Sequence, residues 1–230
     1  KLTALSIQRN KMTGTIPSEL GLLTDLENLI VTTNDLNGTI PMQIWRLSNL
    51  WSLRVDSNQL VGTIPTEIGL CTSLHDLGLS ENQFNGRIPS HIGLLVELQK
   101  LDLSYNRLTG GIPSSQLRPL SDLTSLELAG NRLGGTIPLE LSLLTLLGRS
   151  LVLSGNDLTG TIPTELGRLR RLSSLFDLSS NRLQGTIPSQ LGWLTNLEDS
   201  FSLANNRLTG RIPSELGLMS QLTALNLESN

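Results

Sequence analysis

The sequence predicts an α/β repeat solenoid, a stack of short parallel strands built from one coil used over and over. Three observations carry the prediction. Asparagine recurs at Asn10, Asn34, Asn58, Asn82, Asn106, Asn131, Asn156, Asn181, Asn206 and Asn230, a spacing of 24 four times, then 25 four times, then 24. Before each Asn lies a Leu-x-Leu alternation, as in Leu101-Asp102-Leu103. After it comes Gly-x-Ile-Pro, from Gly14–Pro17 to Gly210–Pro213. Self-similarity at a fixed period of this size is the signature of a repeat architecture.

Each element has a physical reason. Leu-x-Leu has period two and reads as a short strand with its leucines on one face. Asn suits the turn after the strand because its amide both donates and accepts, so stacked coils can satisfy orphaned backbone groups along an Asn ladder. Gly permits the sharp bend, and Pro ends the second extended piece because it cannot donate to a ladder. The rest of the coil, such as Glu19-Leu20-Gly21-Leu22-Leu23, is too short and Gly-broken for a long helix and is expected to form a 3₁₀ turn. One coil buries almost nothing alone, so the stack is the stable unit. At about 4.8 Å per strand, ten strands run on the order of 45 Å.

Composition agrees. Aromatic residues are 3% of the chain, so the core must come from Leu and Ile. The net charge of −3 gives no nucleic-acid or polybasic membrane footprint. Cys71 is the one cysteine, so no internal disulfide forms. No apolar run is long enough for a spanning helix. The N-terminus, Lys1-Leu2-Thr3-Ala4-Leu5, starts inside the periodic pattern and Asn230 falls within it. The expectation is one domain over residues 1–230, about nine and a half repeats, truncated at both ends.

The pattern Leu-x-x-Leu-x-Leu-x-x-Asn-x-Leu-x-Gly-x-Ile-Pro-x-x-Leu-Gly-x-Leu-x-x-Leu resembles the plant-type leucine-rich repeat over essentially the whole chain. The resemblance implies a right-handed arc with a concave parallel sheet, a second short sheet and 3₁₀ turns on the convex side. It also implies the recognition roles of receptor-kinase ectodomains, receptor-like proteins, polygalacturonase-inhibiting proteins and adhesion proteins. The cysteine-paired N-terminal cap usual in such ectodomains is not in this sequence, nor are arginines paired as Arg-x-Arg along one strand, with which some peptide-hormone receptors hold a ligand carboxylate.

Catalysis needs converging titratable groups. His75 and His91 fall in segments that do not converge and read as exposed. Cys71 takes the slot of Leu23, Leu47 and Leu95 and reads as a buried thiol. No phosphate loop and no metal-ligand spacing appears, so no enzyme, cofactor or metal is expected.

A recognition surface is the remaining reading. With the leucines inward, the outward column of the concave sheet is Ser6, Ile30, Arg54, Gly78, Asp102, Glu127, Val152, Asp177, Ser202 and Asn226. Asp56, Asp76, Lys100, Ser125 and Tyr105 flank it. This track from Arg54 to Glu127 is the candidate partner site, and a merely solvated sheet face is the alternative. Other rows are open to similar double readings. Arg107 with Arg132, and Arg182 with Arg207, are expected to be neighbours on a lateral edge, a grip for carboxylates or glycans or simply solvated. Thr15, Thr39, Thr63, Thr136, Thr161 and Thr186 form an array like an ice-binding face, broken at Arg87, Gly111 and Arg211, which β propensity alone also explains. Leu22, Leu70, Leu94, Leu143, Trp193 and Leu218 face the convex side as an apolar strip, with Trp45 nearby, unless they tuck between coils. Asn37-Gly38-Thr39 is a glycosylation sequon in a turn. The extra residue of the longer coils is expected at a corner, without slipping the strands.

Together these predict a non-enzymatic extracellular or cell-surface module that binds a protein or peptide on its concave face. The alternative is a structural or adhesion protein whose regular rows bind glycan, mineral or ice.

Overall fold

The computed structural model describes residues 1–230. Ten three-residue strands, Ala4–Ser6 through Ala224–Asn226, form one unbroken parallel sheet in chain order. Register is in phase throughout: Leu53, Leu77, Leu101, Leu126, Leu151, Phe176 and Phe201 are successive partners, all pointing into the core. Fifty-six buried residues form a single apolar cluster, and Phe176 and Phe201 stack at 5.0 Å where other coils place leucine.

The buried asparagines tie coils together. The Asn131 amide donates to Leu103 O of the preceding coil at 3.0 Å and to Leu128 O and Ala129 O of its own. Its Oδ1 accepts from Leu108 N at 2.9 Å. The same four bonds recur at the other interior asparagines, as at Asn34 and Asn181. To aim the amide inward, the residue before each Asn turns left-handed, with φ between 52° and 65° from Arg9 to Ser229.

The glycine of Gly-x-Ile-Pro has φ of +73° to +94°. At Gly38, Gly62, Gly86, Gly160, Gly185 and Gly210 a Cβ would also come within 2.8–3.0 Å of the preceding coil's threonine Cγ2. The threonine row is therefore part of the stacking, because its methyls seat on the next coil's glycines.

The second sheet is not continuous. It divides into two strands (Thr13–Thr15, Asp35–Asn37), four (Val61 to Leu133) and three (Thr159 to Thr209), with the bridge Thr136–Thr159 between the last two groups. The first break falls between Asp35–Asn37 and Val61–Thr63. Gly93, Gly167 and Gly192, in the slot that corresponds to Trp45, lie so close to the next coil's backbone that a Cβ would meet it. Trp45 fills that slot instead and is 1% exposed, so it belongs to the core rather than to the convex strip the sequence suggested. The 3₁₀ turn there shortens to Ile44–Arg46, against five residues in the others.

The longer coils absorb their extra residue as expected. Ser125, Ser150, Leu175 and Ser200 stay in register, and the added residue makes one further backbone bond just before the strand, Ser173 N donating to Gly148 O at 2.9 Å. The coil lengthened near Ser114 forms an α-turn, Ser114–Leu117, where the others have 3₁₀.

Two stability outcomes follow. Asn131→Ala strands buried donors and acceptors in two coils and should lower unfolding free energy by about 2–4 kcal/mol in a urea titration, whereas Asn10→Ala, on an exposed asparagine, should cost under about 1 kcal/mol. Gly160→Ala should cost about 2 kcal/mol or more, and adding Thr136→Ser, which removes the opposing methyl, should recover part of it; no recovery would mean that φ strain accounts for the whole loss.

Candidate functional site

The outward column stands as the alternation dictates. Arg54, Gly78, Asp102, Glu127 and Val152 are register partners across five strands. Arg54, Asp76, Lys100, Asp102, Ser125 and Glu127 line one depression of about 180 Å³ with Gly78 and Arg149. Arg54 and Asp56 also line an adjoining one of about 380 Å³, with Ser80 and Glu81. Tyr105 lies in neither. It is 62% exposed, and its ring lies across Gly130, where a Cβ would meet Cδ1 at 2.5 Å.

Charges on this face are unequally solvated. Asp56, expected to be an open flanking group, is 6% exposed. It accepts from Ser80 Oγ at 2.9 Å, Ser80 N at 3.2 Å and Arg54 Nε at 3.0 Å. Gly78 makes this possible, because a Cβ there would lie 2.5 Å from the Asp56 carboxylate oxygens. The bond to Asp56 uses Arg54 Nε, and Arg54 lines both depressions. Burial works to lower the Arg54 pKa, but Asp56, with Asp76 and Asp102, holds it above the ordinary value. Glu127 is pinned by Ser125 Oγ at 2.9 Å and Ser150 Oγ at 2.8 Å. Burial pushes Asp76 and Asp102 above the usual carboxylate range; Ser104 N, donating at 3.0 Å, partly opposes this at Asp102, and Glu127 beside it adds to the rise.

Two further participants carry weaker sequence signals. Arg149 stands directly before the strand of a longer coil and adds a cation to the rim. Ser80 holds Asp56. Its place before the strand of a lengthened coil could have pointed to Arg149, whereas nothing in the pattern marks Ser80.

Elsewhere the rows separate. Leu22 is 78% exposed, and Leu70, Leu94, Leu143, Trp193 and Leu218 are exposed with it, so the convex strip faces solvent; Arg170 stacks on Trp193 at 5.4 Å. On the lateral edge Arg182 is bound by Asp157 rather than standing free beside Arg207. Asn37 is exposed at the end of its strand. His91 is exposed. His75 is half-buried, stacked on Trp51 at 5.2 Å and 3.8 Å from Glu97, against the expectation of an open surface histidine. Cys71 lies in its leucine slot, fully buried, with Sγ 3.3 Å from Trp45 O, and burial pushes its thiol up to about 12. No helix is long and apolar enough to cross a membrane.

The Leucine Rich Repeat family profile matches residues 1–23, 97–117, 122–144, 149–169, 174–194 and 199–219, more than half of the chain. No curated protein matches by sequence. Among solved structures, the Arabidopsis receptor kinase HAESA ectodomain, bound to the IDA peptide hormone, superposes with a TM-score of 0.88 at 33% identity over 99% of this chain and 42% of that one. A plant ice-binding protein does so with a TM-score of 0.77 at 29% identity, over 97% and 73%. A Leptospira interrogans leucine-rich-repeat protein gives 0.77 at 34%, over 97% and 54%. The chain spans less than half the length of the receptor ectodomain.

The raised Asp102 pKa sets a pH dependence. The folded state holds this proton more tightly than the unfolded chain, so the group costs stability as pH rises through the carboxylate range. Asp102→Asn, which can still accept from Ser104 N, should therefore raise the thermal midpoint at pH 7 and leave it nearly unchanged at pH 3. A gain of equal size at both pH values would contradict this.

Proposed function

Because the chain belongs to the leucine-rich repeat family, we propose that it is a non-enzymatic recognition module that holds a protein or peptide partner on its concave face. It works outside the cell or at its surface, as part of a receptor, an inhibitor or an adhesion protein. The observation that carries this reading is the convergence of Arg54, Asp76, Lys100, Asp102, Ser125 and Glu127 on one depression, beside the paired Asp56 and with Tyr105 at the margin. These side chains come from four successive strands and are placed by the sheet, not by flexible loops. Over the two depressions five carboxylates, Asp56, Asp76, Glu81, Asp102 and Glu127, face four cations, Arg9, Arg54, Lys100 and Arg149, and this slight acidic excess suits a partner with basic groups, steered by charge complementarity. The peptide-bound state of the HAESA ectodomain supports the reading. In an extracellular setting Asn37 carries a glycan.

The exposed threonines give a second reading, ice binding, supported by the plant ice-binding relative. Their methyls pack on glycines, and Arg87, Gly111 and Arg211 interrupt the array, so the first reading is the stronger.

A displayed peptide library enriched in Lys and Arg tests it. Selected binders should lose affinity by about tenfold or more on the double variant Asp102→Lys/Glu127→Lys, roughly 1.4 kcal/mol or more. Binders indifferent to the reversal would overturn the site, and thermal hysteresis in the wild type would favour the second reading.

A further inference from the structure

Departures from the repeat crowd together on the second sheet, away from the concave face. Arg87 and Gly111 stand where six other coils have threonine, and Gly134 adds a glycine directly before Gly135. In the sheet, Arg87 and Arg132 are both register partners of Thr109. Arg107 is two residues before Thr109 on the same strand, hence on the same face. Three arginines thus surround one threonine. The Arg87 stem lies flat over Gly110, where a Cβ would meet its Cγ at 2.9 Å. All three are exposed and none is in an ion pair; the pairs in this molecule are Arg54–Asp56, His75–Glu97 and Arg182–Asp157.

Next to them the missing side chains open a depression of about 570 Å³. Its floor is Gly111, Gly134 and Gly135, and Thr136, Thr161, Glu140 and Glu165 stand around it. A Cβ on Gly135 would meet nothing within 4 Å. The volume is in the range of small-ligand clefts.

We propose that this patch binds an anionic oligosaccharide, with a carboxylate or sulfate on Arg87, Arg107 and Arg132 and the adjoining ring in the glycine-floored depression. Unpaired guanidinium forks match planar oxyanions in a bidentate manner. Bare glycine backbone and threonine hydroxyls offer donors and acceptors to sugar hydroxyls. Glu140 and Glu165 accept from the hydroxyls of that ring. An acidic peptide fits less well: an extended peptide needs pockets for alternate side chains, and Leu139 is the one exposed large apolar side chain of the lining.

Calorimetric titration with an oligogalacturonate, a sulfated heparin oligosaccharide, a neutral malto-oligosaccharide and a polyglutamate peptide tests this. At least one of the two anionic oligosaccharides should bind, and which one does identifies carboxylate or sulfate as the anion. Arg87→Thr, which restores the residue of the regular coils, and Arg132→Gln should each weaken binding by about tenfold. Gly111→Thr should do the same by filling the floor; it is sterically mild, since its Cβ meets only Gly134 O at 3.7 Å. Thermal melts establish that each variant is folded, and the concave variant Asp102→Lys/Glu127→Lys should bind like wild type. The proposal is overturned if neither anionic oligosaccharide binds. Polyglutamate binding as tightly, or binding that ignores Gly111→Thr, would equally overturn it, since either would mean nonspecific adsorption of polyanions.

Discussion

The side-chain amide of each interior asparagine spans the gap between two coils. It donates to a carbonyl of the preceding coil and to two of its own, and accepts an N–H from the preceding coil. As the chain turns away from the sheet, carbonyls such as Leu103 O and Leu128 O find their donor in this amide. Left unpaired in a buried site they would each be costly. The amide removes that cost only if successive coils are in phase. Parallel register, leucine on leucine, follows from this constraint, and so does the placement of every outward side chain.

A frame this regular makes departures informative. Gly78 interrupts the outward column, and Asp56 uses the space. The result is a buried carboxylate held by Arg54 and Ser80 in the middle of a solvated face. Buried ion pairs contribute little net stability compared with apolar packing. Their value here is positional: Asp56 holds Arg54 by Nε where both depressions meet its side chain. The raised Asp76 and Asp102 point the same way, since the concave surface carries carboxylates that are under-solvated in the free protein. A cationic partner would relieve that deficit.

Much of this was legible without coordinates. Leu-x-Leu predicted the in-phase core, Asn predicted the ladder, the slot of Cys71 predicted its burial, and alternation predicted the outward column residue by residue. What the pattern does not show depends on the neighbouring coil. The left-handed residue before each asparagine is a Gly only at Gly130 and Gly155, and elsewhere is Arg, Thr, Ser, Glu, Tyr or Asn, so composition hides it. The threonine methyls resemble free surface in the sequence, where the glycines beneath them are a coil away. Trp45 looks peripheral because its slot elsewhere holds glycine or Ser142, yet the indole is buried.

By itself, then, the sequence determined the repeat, its period, the inward and outward sets, and the corner where each extra residue is absorbed. These are properties of one coil and of periodicity, which local pattern records. Only the tertiary structure decided that Asp56 is buried, that Arg149 joins the concave rim, that the second sheet breaks after Asn37, and that Arg87 and Arg132 flank Thr109. Each of these depends on what stands one coil away, about 24 residues along the chain and about 5 Å across the stack, and side-chain volume and charge across that gap are not encoded in any single repeat.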